Sequence, residues 1–365
     1  MLRPAAVFAA FVALLFSFSA HTSQAQVGQS SAVFLLIEPD ARSSAMGGTG
    51  VASAQGSSAV FWNPAGLTDA SGTQVAFTRS EWLPELSSDM SFNFFSASHA
   101  VNDRFTLGGH FTYLDMGSSE GRTADGLPTR TFSSFDAAVG VSAGYQLSSK
   151  WSLGTGVRYV HSDLAPGMAL GGGQDAKSST VAFDVGALYR PSSFVTIGAS
   201  LNNMGGQLEF TEEETAGDPI PTTLRVGYSL TFDNHELHKI TLSNDITKLL
   251  VRREGGEADS WTEALVSSWG ANEICQGPSE DPQCTSVLPL EQLMISAGAE
   301  YEFDELFALR AGYFYESPNN GNRQFITLGA GAQYEFIGVD FSYLHATAED
   351  SPLAETMRFT ASFRF

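Results

Sequence analysis

Residues 135–147 read FDAAVGVSAGYQL. In an extended chain Phe135, Ala137, Val139, Val141, Ala143, Tyr145 and Leu147 share one face, and Asp136, Ala138, Gly140, Ser142, Gly144 and Gln146 share the other. A period of two sustained over this length predicts a strand with one apolar face and one small or polar face. The pattern recurs at 181–190, where Val181, Phe183, Val185, Ala187 and Tyr189 oppose Asp184, Gly186 and Arg190. It recurs at 224–232 and again in the last nine residues, MRFTASFRF.

Outward from that stretch, the chain from residue 73 onward divides into fourteen such segments: 73–80, 89–100, 104–116, 132–147, 150–163, 178–190, 193–202, 221–232, 237–252, 291–303, 306–316, 323–336, 337–346 and 354–365. Single-chain bacterial membrane barrels have an even strand number. The connections alternate in length as well. Short turns stand at 101–103, 148–149, 191–192, 233–236 and 304–305, and long loops at 117–131, 164–177, 203–220 and 253–290. Tight periplasmic turns and longer external loops are the mark of a transmembrane barrel, and they place both termini on the periplasmic side. A soluble sandwich would need a second sheet over every apolar face, and its strands average only about 5–6 residues. The expected fold is therefore all-β, a transmembrane antiparallel β-barrel of about fourteen strands.

Composition agrees. Charged residues make up 16% of the chain, with 36 glycines and 27 phenylalanines, whereas soluble domains carry about 25% charged residues. No apolar run after the N-terminus is long enough for a helical span. Apolar surface spread at a period of two escapes a hydropathy window, as it does in barrels. Tyr145, Trp151, Tyr159, Tyr189, Tyr301, Tyr334, Phe336 and Phe363 lie near segment ends, where interfacial girdles form. The net charge of −21 excludes nucleic acid as a partner, because phosphate binding requires clustered Lys and Arg. Much of the excess sits in loops, at 209–215 and at 254–290 with seven Asp or Glu and no Lys or Arg; it reads as solvation or adaptation to salt.

The first 25 residues combine Arg3, an apolar run over 5–20 and small residues at Ser23 and Ala25. This is the form of a cleaved signal peptide, with the mature chain expected to begin at Gln26. In the oxidising compartment beyond, the only two cysteines, Cys275 and Cys284, are expected to pair within their acidic loop.

Residues 26–72 lack a strand pattern. They are rich in Ser, Ala and Gly and carry apolar knots at Val33–Ile37, Ala59–Trp62 and Leu67. Such knots are not a feature of disorder, and so short a segment makes a weak independent core. A fourteen-stranded barrel is wide enough to hold a plug, so the expected organisation is a leader (1–25), a plug inside the lumen (26–72) and the barrel (73–365). Inward positions of the wall carry both signs: Arg158, Arg190, Arg225, Arg310, Arg358 and Arg364 against Asp136, Asp184, Asp245, Glu300, Glu302 and Asp340. They are expected to pair across the wall and with the plug.

NPAGL at 63–67, just ahead of the barrel, resembles the plug signature of the FadL-like family of outer-membrane proteins. Three blocks in order, FLLIEPDARSSAMGGTGVA (34–52), VFWNPAGL (60–67) and EWLPELSSDMSF (81–92), resemble more closely the PorV/PorQ family of the type IX secretion system. The resemblance marks Asp40, Arg42, Phe61, Trp62, Asn63 and Pro64 as the plug motif. It implies an outer-membrane protein that binds secreted cargo by a C-terminal sorting domain and escorts it from a large translocon barrel to a sortase-like attachment complex. The external loops 117–131, 203–220 and 253–290 are then candidates for partner contact. The terminal Phe365 resembles the aromatic by which barrel assembly machinery recognises its clients.

No catalytic chemistry is legible. GGTG (47–50) and GGG (171–173) lack the lysine and helix of a phosphate loop, His235 and His238 have no further metal ligands, and there is no G-x-S-x-G elbow. Neither enzyme activity, a metal nor a cofactor is expected. The competing function is a FadL-like passive transporter of hydrophobic small molecules, for which Val33, Phe34, Leu35, Leu36 and Ile37 would line an apolar pocket.

Overall fold

The structure, a computed structural model, describes residues 30–122, 127–165, 176–210, 217–234, 237–254, 257–276, 283–347 and 351–365. The expected leader, His235, most of the 164–177 loop and the tip of the acidic run at 209–215 lie outside the described residues.

Fourteen strands form one closed antiparallel barrel. They are β1 (Thr73–Glu81), β2 (Ser91–Asn102), β3 (Phe105–Arg122), β4 (Pro128–Gln146), β5 (Trp151–Ala165), β6 (Ala176–Ser192), β7 (Val195–Gly205), β8 (Thr223–Asn234), β9 (His238–Leu249), β10 (Leu293–Phe303), β11 (Phe307–Tyr315), β12 (Gln324–Tyr334), β13 (Ile337–Ala346) and β14 (Met357–Arg364). Each pairs with its neighbours in the chain, and β1 closes on β14 with Phe77 opposite Ala361. Closure leaves the barrel no free sheet edge, the condition for β-structure in lipid.

The stretch 135–147 lies in β4, with Val139 opposite Phe111 on one side and Tyr159 on the other. Val139 is 52% exposed and Ala138 only 2%, so the alternation in the sequence is the alternation of outer and inner wall. Trp151 of β5 stacks on Tyr189 of β6 at 4.5 Å between centroids, and Phe336 packs on Phe365 at 6.2 Å. Both pairs lie at the short-turn end, where one girdle belongs.

Two expectations need correction. Residues 117–131 are mostly strand, not loop: β3 runs to Arg122 and β4 starts at Pro128, because the ladder re-forms beyond a bulge between Asp115 and Ser118. Gly117 supplies the positive φ of 75° that the bulge demands. The 253–290 loop is partly structured. It holds a helix, Trp261–Ser267, and two short ladders, 253–254 with 257–258 and 272–276 with 283–287. Ser260 and Glu263 form a reciprocal capping box at the helix start, and the hydrogen bonds from Ser260 hold the Glu263 carboxyl below its usual range.

The segment ahead of β1 lies within the barrel. It begins at the long-loop end, where the Ser31 amide donates to Pro219 O at 3.0 Å. It passes through α1 (Ala41–Ala45) against β11–β14, crosses to α2 (Ala59–Trp62), and ends in a 3-10 turn, Pro64–Asp69, against β3–β6. Phe365 is held at the opposite, short-turn end by backbone bonds with Thr73.

Candidate functional site

The barrel meets its N-terminal segment along three lines of contact, each with a local cause. The first is a seat of glycines. Gly144, Gly154 and Gly186 stand side by side in β4, β5 and β6, and the turn starting at Pro64 lies directly on them. A Cβ at Gly144 would sit 2.9 Å from Leu67 Cβ and 3.0 Å from Pro64 O; at Gly154 it would overlap the backbone of Pro64 and Ala65. A second pair, Gly298 and Gly312, lies opposite each other in β10 and β11 and receives Met46 and Gly47 in the same way. Only glycine permits this approach of backbone to wall.

The second line is hydrogen bonding. Asn63 Nδ2 donates to Val51 O at 2.8 Å and to Ala187 O of β6 at 3.1 Å, while its Oδ1 caps the Ala65 amide at 3.1 Å. Pro64 then stands at the first position of the turn, where a missing N–H costs nothing. Asp40 joins two knots of the segment: Oδ1 accepts from the Ser43 amide at 2.8 Å, capping α1, and Oδ2 accepts from Trp62 Nε1 at 3.0 Å. Asp245 of β9 accepts from the amides of Gly50 and Val51 at 2.7 and 2.9 Å.

The third line is charge. Arg42 grips Glu300 of β10 bidentately, Nη2 to Oε1 at 2.7 Å and Nε to Oε2 at 2.9 Å. Arg310 of β11 donates to the same Glu300 at 2.6 Å and to Asp340 of β13 at 2.7 Å. Asp69 pairs with Arg190 at 2.6 Å and Glu38 with Arg358 at 3.2 Å. Arg158 and Asp184 pair within the wall at 2.6 Å. Arg225 lies over the rings of Phe61 and Trp62, 5.6 and 5.4 Å from their centroids. A buried charge needs a partner: carboxylates supply it for the other arginines, and Arg225 donates to Asn202 Oδ1 at 3.3 Å.

All six residues of the motif thus fall in this contact zone: Asp40, Arg42, Phe61, Trp62, Asn63 and Pro64. Glu38 and Asp69 went unnoticed in the sequence, although a signal existed. Residues 26–72 contain only four charged side chains, Glu38, Asp40, Arg42 and Asp69, and inside a lumen each needs a partner. Trp82, from the third signature block, lies 6.0 Å from the Arg358 guanidinium, so that block meets the first through β14. Cys275 stands opposite Cys284 in the loop ladder.

Above the seat, Phe34, Leu35, Ile37, Val60, Phe61 and Trp62 form one buried cluster with wall residues such as Phe92, Phe94 and Leu114, roofed by Leu208 and Ile220. Phe34, Leu35 and Ile37 are therefore spent on packing. Below it, two polar cavities of about 500 and 490 Å³ open toward the short turns, sharing Arg42, Gln55 and Lys239 in their linings. The arrangement can hold a lumen shut at mid-height and leave a wet vestibule beneath.

A family model described as "Type IX secretion system protein PorV" matches residues 20–254. No curated protein matches the chain. Among solved structures, the P. putida toluene transporter TodX is similar with a TM-score of 0.59 at 15% identity, over 90% of this chain and 99% of that one. The Ralstonia pickettii toluene transporter TbuX is similar with a TM-score of 0.54 at 16% identity, again over 90% and 99%. Likeness at such identity speaks for the fold alone.

Proposed function

The chain belongs to the PorV family of type IX secretion outer-membrane proteins, and on that premise we propose that it binds secreted cargo by a C-terminal sorting domain and escorts it from the translocon to a sortase-like attachment complex. Its place is the outer membrane. The observation that best supports escort over conduction is the way the N-terminal segment is held in the lumen, tied to the wall by Arg42–Glu300, Asp69–Arg190 and Glu38–Arg358. A barrel occupied in this way presents its rim and loops to partners.

We assign residues 26–72 as the plug, 73–365 as the barrel and 1–25 as a cleaved leader, with Asp40, Arg42, Phe61, Trp62, Asn63 and Pro64 as the residues that seat the plug. We assign the carboxyl terminus to the periplasm. The same assignment does not extend to the start of the plug, since Ser31 is bonded to the long-loop end. The loops at 203–220 and 253–290 and the β3–β4 hairpin tip are the contact surfaces we favour, with Cys275 and Cys284 joined to brace the second of them.

The competing transporter reading needs an apolar conduit past residues 33–37. Phe34, Leu35 and Ile37 are packed and buried, and the cavities beneath are lined mainly by polar groups such as Gln55, Ser57 and Gln74, which weighs against it. The test is gentle extraction from the native outer membrane followed by mass spectrometry of what accompanies the protein. Secreted proteins sharing a C-terminal domain, or a very large barrel, are the expected result. Small apolar molecules with no protein partner would return the transporter.

A further inference from the structure

The outward face of the barrel carries a gap in its upper girdle, and the 250–292 loop covers it. Along β10 the outward positions run Phe303, Tyr301, Ala299, Ala297, Ile295 and Leu293, and along β9 they end at Ile246 and Lys248. The ten residue steps from Phe303 to Leu293 rise about 25 Å in a strand tilted as barrel strands are, which is the height of the apolar band itself. An aromatic belongs at that height, yet the strands place Lys248 and Leu293 there, opposite each other.

Lys248 alternates with the inward Asp245 and so stands on the outer side, but it is 2% exposed. What covers it is the loop. Its Nζ donates to Gln292 Oε1 at 2.6 Å and lies 5.9 Å from the ring centroid of Trp269. Gln292 in turn donates to Gly270 O and Val287 O, both at 3.0 Å, which ties the corner after the helix at 261–267 to the turn before β10. On these two tied segments Val266 is 79% exposed and Leu290 81%, with Leu288 and Trp269 also exposed. Ile246 and Ile295, exposed and paired with each other, lie one outward step below the Lys248–Leu293 pair that the loop covers.

We propose that Val266, Trp269, Leu288 and Leu290 seat in the outer leaflet of the membrane, so that the loop supplies the girdle aromatic that β9 and β10 lack and is tethered to the barrel flank. Trp269 at the interface keeps its indole N–H satisfied by Leu265 O at 3.0 Å while its ring meets acyl chains, the division of labour that interfacial tryptophans show. The inference stands on register and exposure and does not depend on what the protein escorts.

The experiment reconstitutes the full chain into phosphatidylcholine vesicles brominated either high or low on the acyl chain. The Trp269 contribution is taken as the difference between wild type and Trp269→Phe, both checked for heat-modifiable migration of the folded barrel. Trp151, in the opposite girdle, is the internal control. The expected component is quenched by high-chain bromine and spared by aqueous iodide. A nitroxide on Leu290→Cys, read by its relative accessibility to oxygen and to a nickel chelate, gives a second answer that does not require changing Trp269. An indole open to iodide and untouched by bromolipid, or a label open to the chelate, overturns the proposal.

Discussion

Replacing Asn63 by alanine removes the polar hub of the plug seat and nothing else of size. The wild-type side chain caps the Ala65 amide and donates to Val51 O within the plug and to Ala187 O of the wall. An N-cap is worth about 1 kcal/mol, and each buried hydrogen bond about 1 kcal/mol more. The seat should lose about 3 kcal/mol, which is on the order of a hundredfold in the equilibrium between seated and released turn. The barrel keeps all of its ladders, so the cost is local. Amide hydrogen exchange read by mass spectrometry, in detergent and in nanodiscs, resolves this. Peptides covering 59–70 should exchange on the order of a hundredfold faster, while wall peptides of β4–β6 keep their protection. Exchange unchanged in 59–70, or accelerated equally in the wall, would show that Asn63 does not hold the turn to the barrel.

Deleting residues 27–70 should leave a barrel that inserts but conducts ions; conductance equal to wild type in planar bilayers removes the plug assignment. Glu300→Ala leaves Arg42 without its carboxylate beside Arg310, which keeps Asp340, and should destabilise the seated segment by about 3 kcal/mol, seen as faster exchange across 41–53. Arg42→Ala leaves Glu300 paired with Arg310 and should cost less, so the reverse order would contradict the charge account. Cys275 and Cys284 should resist alkylation in the native protein until a reductant is added, and peptide mapping should recover them linked; free thiols in oxidised, folded protein would rule the bond out.

Much of the barrel is legible because its outer and inner faces impose opposite demands on successive residues. The period of two at 135–147 is that demand written out, and the strand count follows from repeating it. The hairpin at 117–131 reads as a loop in the sequence because Ser, Glu, Gly and Arg there carry no apolar alternation. Above the membrane neither face of β3 and β4 meets lipid, so the pattern lapses while the ladder continues. The residues proposed as the plug motif stand out by their aromatic and turn character, but their partners do not. Glycines at 144, 154 and 186 lie up to forty-two residues apart in the sequence and become one seat only through the register of β4, β5 and β6.

The sequence by itself determined the class of the protein, its approximate strand number, most of its turns and loops, and the presence of a non-strand segment ahead of the wall. These are local properties, set by periodicity and by turn residues that act over a few positions. Tertiary structure alone decided which charges meet. Arg42 finds Glu300, 258 residues away, and Glu38 finds Arg358, 320 residues away, because closure of the sheet brings β10 and β14 around the segment. It also decided that Trp269, a loop residue, comes to rest beside Lys248. Long-range pairing depends on where a closed wall puts its inner and outer faces, and no short window of sequence carries that information.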